Sequence, residues 1–218
     1  MTQKRARVAI FISGRGSNMR SLVEAAQAED FPAEIALVLS NVASAEGLAF
    51  ARAQGIATSV VEHRAFADRE SFERAIQAAL GQHSIDLICL AGFMRLLTPW
   101  FVEQWRARML NIHPALLPSY RGLHTHERAL ADGVKIHGAT VHFVAPEMDA
   151  GPIIAQAAVP VLDGDTPETL GARVLAQEHR LYPLALKLVA GGFAHIDGAQ
   201  VRIDAGRPPP KALVWPAG

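Results

Sequence analysis

The stretch VAIFISGRGSN (residues 8–18) runs from an apolar segment through a glycine turn into a helical pattern. Branched and aromatic side chains bounded by glycine read as a short buried strand. Beyond the turn, Met19, Leu22, Val23 and Ala26 recur at helical spacing, which predicts a helix over 18–27. The unit then repeats. Residues 35–40 (IALVLS) read as a strand, and 45–54 as a helix that Gly55 ends from the C′ position. A weaker strand at 58–62 and a helix at 68–80 follow. Residues 85–91 (IDLICLA) are apolar apart from Asp86, as central parallel strands tend to be. This alternation predicts an α/β fold, a Rossmann-like open sheet that is mostly parallel, with helices on both faces.

After Pro99 the pattern changes. Residues 109–113 read as another strand, and a proline-rich loop leads to 122–126. Residues 135–144 alternate, Ile136, Ala139, Val141 and Phe143 against His137, Thr140 and His142, and read as a half-exposed strand with 153–161 as its partner. These strands predict an antiparallel C-terminal part. A long helix is expected over 166–189, with Pro167 at its first position and Gly191-Gly192 as its stop. Asp197-Gly198 centres a hairpin within 193–203, and 208–218 is expected to be irregular. The whole reads as a single domain, residues 1–218. Residues 1–100 form a parallel half, 101–190 a second half, and 191–218 a hairpin and tail.

Composition narrows the function classes. Lys+Arg and Asp+Glu both number 21, so the formal net charge is zero and no broad basic surface for nucleic acid or anionic membrane is expected. Hydrophobic residues make up 50 % of the chain, enough for a substantial core. The single cysteine, Cys89, has no intramolecular partner, which fits a reduced cytoplasmic setting. Lys4, Arg5 and Arg7 precede an apolar run too short for a signal peptide, and no apolar segment approaches transmembrane length.

Ligands of such sheets bind beyond the carboxyl ends of the strands, here 13–18, 40–41 and 92–95. Free N–H groups at a helix start after Gly14 and Gly16 favour a phosphate. A dinucleotide fingerprint would need a third glycine where Met19 stands, and an acid where Ser40-Asn41 ends the second strand. A phosphate monoester suits the loop better, although a plain βα turn would look similar. Asn111 and His113, two apart on a strand, project to one side. An amide donor beside an imidazole suits acyl transfer, but taken alone an Asn-x-His pair more often marks a structural histidine. Asp149, in a turn, could orient that imidazole and favour its charged form, or merely stabilise the turn. His124-x-His126 with Glu127 invites a metal reading, but no HExxH or Cys/His cluster accompanies it, and no metal is expected. His137 and His142 are expected to flank a cleft, and His63, His83 and His195 to lie on the surface.

Together the segments IFISGRGSN (10–18), LAGFMRLLTP (90–99), LNIHPALLPSYRGLHTH (110–126), HGATVHFV (137–144), MDAGPII (148–154) and QEHRLYP (177–183) resemble the phosphoribosylglycinamide formyltransferases, folate-dependent enzymes of purine synthesis. The resemblance implies formyl transfer from 10-formyltetrahydrofolate to glycinamide ribonucleotide, in a cytoplasmic enzyme that is a monomer or homodimer. It assigns Asn111, His113 and Asp149 to catalysis. Gly16, Ser17, Asn18 and Glu178 are assigned to the ribonucleotide. Met94, Arg95, Leu96 and Leu97, with Asn111, Ala145, Pro146, Glu147, Met148 and Asp149, are assigned to the folate, and Arg69 to its glutamate portion. Arg121 departs from the pattern, where many relatives have proline or lysine. Its YRG is similar to methionyl-tRNA formyltransferases, for whose tRNA-binding domain the length leaves no room. Formyltetrahydrofolate hydrolases are another alternative. From other classes, a nucleotide-binding oxidoreductase and a non-catalytic binding module are disfavoured by the loop and by the Asn/His/Asp set respectively.

Overall fold

The computed structural model describes residues 4–204. Five strands, β1 (Ala6–Ile12), β2 (Ala33–Ser40), β3 (Ala57–Val60), β4 (Leu87–Leu90) and β5 (Met109–His113), pair in parallel. Then β6 (Ile136–Phe143) runs antiparallel to β5, and β7 (Ile153–Pro160) antiparallel to β6. The seven form one sheet in the order β3-β2-β1-β4-β5-β6-β7. The parallel part thus runs one strand past residue 100, because β5 enters beside β4 before the direction reverses.

Alternation along β1 sends its side chains to two cores. Val8, Ile10 and Ile12 face α1 (Ser17–Ala26), α2 (Glu46–Ala53) and α6 (Pro167–Ala190), against Leu22, Leu48, Leu181 and Leu186. Ala9 and Phe11 face α3 (Arg69–Gly81) and α4 (Pro99–Gln104), against Ile76, Leu80, Phe101 and Val102. Each large side chain buried in this way contributes about 1.5–3 kcal/mol. Helix α6 also reaches the centre of the sheet through a hydroxyl. Tyr182 Oη is 3.0 Å from the Leu90 carbonyl and 3.1 Å from that of Leu110, on adjacent strands.

The helix ends follow sequence signals. Asp68 caps α3, its Oδ1 accepting from Ser71 N at 2.7 Å, and Thr166 with Thr169 forms a reciprocal capping box at α6. Two helices lack a legible pattern. Helix α4 is six residues long, too short to show a period. Helix α5 (Thr125–Ala131) starts from His124 in the left-handed region, φ 57°, with no side-chain cap to announce it.

The expected half-exposure of β6 is wrong. The strand is buried from His137 to Phe143, because its helix-facing side meets α6 and its other side is roofed by the segment that follows β5. Thr140 Oγ1 donates to the Ala115 carbonyl at 2.7 Å and accepts from Leu117 N at 3.0 Å. The hairpin β8 (Ala194–Asp197) and β9 (Gln200–Ile203) turns at Gly198-Ala199, one residue later than expected, since Asp197 pairs with Gln200. The tail at 208–218 lies outside the described residues. Among the described residues no helix is long and apolar enough to cross a membrane.

Candidate active site

The carboxyl edge of the parallel strands carries the candidate residues in two groups. The first surrounds the β1–α1 loop. Gly16 precedes α1 with φ 71° and ψ 36°, and a Cβ there would come within 2.8 Å of Met19 Cε. The left-handed backbone calls for glycine, and a side chain there would also have to push aside the end of Met19. No side chain caps α1, so the N–H groups of its first turn, from Ser17 onward, lack intrahelical partners. The helix dipole adds positive potential there. Next to it, Asn18 Nδ2 donates to Glu178 Oε2 at 2.7 Å, while Asn18 Oδ1 is buried without a partner. Burial pushes the Glu178 carboxyl up, partly countered by the Asn18 hydrogen bond. A buried orphan acceptor beside a carboxylate is a polar site built for a further donor.

A polar chain leads from this loop across the strand ends. Ser13 Oγ donates to Asn41 Oδ1 at 2.6 Å and accepts from Met94 N at 2.8 Å. Asn41 is in turn 3.2 Å from His63 Nδ1, so His63 is half-buried in the network and not a simple surface residue. The segment carrying Met94, Arg95, Leu96 and Leu97 is held at its far end by buried Glu73, which accepts from Thr98 N at 2.6 Å and from the Thr98 hydroxyl. Between these anchors Met94 is 68 % and Leu96 59 % exposed. Arg69, in the first turn of α3, and Arg95 are both exposed.

The second group is built on β5 and β6. Asn111 and His113 share one side of β5, and the antiparallel register sets His142 opposite Asn111 and Thr140 opposite His113. The alternate residues Leu110 and Ile112 go into the core with α6. Asp149 approaches from the loop after β6, its Oδ2 lying 3.4 Å from His113 Nδ1 and accepting from Gly122 N at 2.9 Å. His113 Nε2 stands 2.9 Å from the Tyr120 carbonyl. Both ring nitrogens therefore face acceptors. Asn111 Nδ2 is 3.2 Å from His142 Nε2, whose ring is also 3.8 Å from Asp149 Oδ1. Burial pushes the His142 imidazole down, against opposing pulls from the Phe143 carbonyl and Asp149.

The loops facing His113 are strained. Tyr120, His124 and Asp149 have φ of 56°, 57° and 52°. Left-handed backbone costs a side-chain-bearing residue about 1–2 kcal/mol. Gly151 anchors the Asp149 loop, since a Cβ there would strike the Phe143 carbonyl at 1.7 Å. Above the cleft, Arg121 Nη1 bridges to Glu147 Oε1 at 2.7 Å, an exposed pair that contributes little. Ala145, Pro146, Glu147 and Met148 line this rim, with Met148 51 % exposed. His137 turns to α5, its Nε2 3.2 Å from His126 Nδ1, while His124 is exposed beside Glu127. The contact between Asn111 and His142 was not foreseen. Its signal is the alternation of 137–144 taken with an antiparallel register against 111–113.

The formyl transferase family model matches residues 6–186. Phosphoribosylglycinamide formyltransferase of Escherichia coli (strain K12) is 43 % identical over 204 residues, 94 % of this chain and 96 % of that protein. The human trifunctional purine biosynthetic protein adenosine-3 is 50 % identical over 194 residues, 89 % of this chain, and the chain spans only 19 % of that protein's length. The crystal structure of phosphoribosylglycinamide formyltransferase from Brucella melitensis superposes with a TM-score of 0.83 at 61 % identity, covering 87 % of this chain and 97 % of that one. With its fold and the ordering of its loops, the chain belongs to the formyl transferase family, among the phosphoribosylglycinamide formyltransferases.

Proposed function

We propose that this chain transfers the formyl group of 10-formyltetrahydrofolate to the amino group of glycinamide ribonucleotide, as a single formyltransferase domain of purine biosynthesis. The products are formylglycinamide ribonucleotide and tetrahydrofolate. The observation that carries this reading is the meeting of Asn111, His113 and Asp149, with His113 Nδ1 3.4 Å from Asp149 Oδ2. The open first turn of α1 suits the ribonucleotide phosphate, with Gly16, Ser17 and Asn18 supplying N–H groups. Glu178 and the orphan Asn18 Oδ1 suit ribose hydroxyls. The exposed side chains of Met94, Leu96 and Met148 suit the flat pterin, and Arg69 and Arg95 the glutamate carboxylates.

In the reaction the substrate amine attacks the formyl carbon, and the carbonyl oxygen becomes an oxyanion. Asn111 Nδ2–H and His113 Nε2–H donate to that oxygen. Because the Tyr120 carbonyl already accepts from His113 Nε2 at 2.9 Å, the formyl oxygen takes its place as acceptor. Asp149 holds the other ring nitrogen and balances the imidazolium charge. A proton passes from the amine to the folate nitrogen, and collapse of the intermediate expels tetrahydrofolate. A cytoplasmic location suits the buried single thiol of Cys89.

The test is a spectrophotometric assay of tetrahydrofolate release by purified protein. Release that requires glycinamide ribonucleotide supports the reading. Release with no acceptor points to a hydrolase, and release that needs methionyl-tRNA points to a different transferase.

A further inference from the structure

His142 lies inside the site, yet the reaction just described leaves it without a task. The residue is 2 % exposed, and the β5–β6 register sets it directly across from Asn111. The Phe143 carbonyl, 2.9 Å from His142 Nδ1, can only accept, so Nδ1 carries a proton. The amide nitrogen of Asn111, 3.2 Å from His142 Nε2, can only donate, so Nε2 offers a lone pair. One tautomer of the neutral ring satisfies both contacts at once. Asp149 Oδ1, 3.8 Å from Nε2, would draw a second proton onto that nitrogen, and His113 opposes it by like charge. Burial of the ring also favours the neutral form.

We propose that His142 is the positioning residue for Asn111: its Nε2 accepts one amide N–H, and this fixes which end of the amide faces the formyl oxygen. An asparagine amide is nearly symmetric in shape, and a half-turn about its last bond exchanges donor for acceptor. With Oδ1 turned to the reacting centre, Asn111 would repel the developing oxyanion instead of stabilising it. With one N–H held by His142, the second N–H of the same nitrogen remains for the substrate. Gly151 completes the arrangement by letting the Asp149 loop pass flush against the Phe143 carbonyl that orients the His142 ring. The proposal rests on the formyl-transfer reading of the site.

The test compares kcat and KM for both substrates in His142→Gln and His142→Asn, with folding checked by thermal unfolding. Glutamine can set an acceptor oxygen where Nε2 stands, whereas asparagine reaches only the Nδ1 position. The expected result is a kcat loss of about 10–100-fold in His142→Asn, typical for removal of an orienting partner. KM values should change little, and His142→Gln should stay close to wild type. Adding His142→Asn to Asn111→Ala should cost nothing further, because the partner being oriented is gone. Wild-type turnover in His142→Asn, equal losses in both variants, or losses that multiply in the double variant would overturn the proposal. Near-normal turnover in Asn111→Ala alone would instead overturn the formyl-transfer reading. Nitrogen NMR of histidine-labelled wild-type enzyme decides the matter even if His142→Asn does not fold. A proton on Nδ1 and a bare Nε2 that shifts in Asn111→Ala support the proposal, and a proton on Nε2 overturns it.

Discussion

The two ends of the cleft are made of different materials. Apart from the Asn18–Glu178 pair, the β1–α1 end presents backbone, with a left-handed glycine and the uncapped first turn of a helix. The β5–β6 end presents side chains, with Asn111 and His113 of β5 meeting His142 of β6 and Asp149 of the loop that follows it. A backbone site needs only that particular residues be small, and tolerates many neighbours. A side-chain site depends on register, tautomer and loop strain together. Binding of an anion can be entrusted to the first, but stabilising charge that exists only in a transition state calls for the second.

The largest effect should come from dismantling the side-chain end. Asn111→Ala, His113→Ala and Asp149→Ala are each expected to keep the fold and lose about 10²–10³ in kcat, measured at saturating substrates. Near-normal turnover in any one removes that residue from the machinery. At the backbone end, Gly16→Ala meets both a positive φ and Met19, a penalty of at least about 1–2 kcal/mol. It should lower the unfolding temperature and raise KM for the ribonucleotide, while affinity for a folate analogue measured by calorimetry stays near wild type. A matching loss of folate affinity would mean that the two ends are not separable.

Acid should also distinguish the ends. Burial pushes His137 down to about 4, with His126 adding to the effect, and burial pushes His126 down as well. The unfolded imidazole, with an ordinary value of 6.5, takes up its proton first as pH falls. Stability is therefore full above about pH 6.5 and falls continuously towards pH 4. Hydrogen exchange at pH 7 and at pH 5 should show protection lost first in β6 and α5, with β1 and α1 following later. His137→Gln should flatten the profile, and an unchanged pH slope would exclude His137 as its source. The smallest effect is expected from Tyr182→Phe, about 1 kcal/mol in urea unfolding with kcat little altered.

The same contrast explains what could be read from the sequence. Strands β1, β2 and β4 announce themselves because each is built round a compact apolar run, and Gly14 and Gly16 close the first of them. The β1–α1 loop is legible as a tight turn because Gly14 and Gly16 stand between an apolar run and a helical period. Asn111 and His113 could be placed on one side of a strand, but their neighbours could not, since nothing local states that β6 turns antiparallel and lies against β5. The burial of β6 escaped for a related reason. Its polar side alternates like a solvated strand, yet Thr140 bonds to Ala115 and Leu117 in a segment with no regular structure. Helices α4 and α5 were too short to carry a period. The distance from Asp149 to His113 depends on a left-handed aspartate, a conformation that no residue pattern announces.

Helix α6 joins the two ends. Glu178 holds Asn18 at the first, and Tyr182, one turn further on, grips the Leu90 and Leu110 carbonyls beside the second. Residues i and i+4 of a helix keep a nearly constant separation. The helix therefore works as a gauge block between the β1–α1 loop and the ends of β4 and β5, fixing how far apart the two groups of polar residues are held. A change that slid α6 along its own axis would carry Glu178 away from Asn18 and Tyr182 away from the two carbonyls in one movement, so that both ends would lose their setting together.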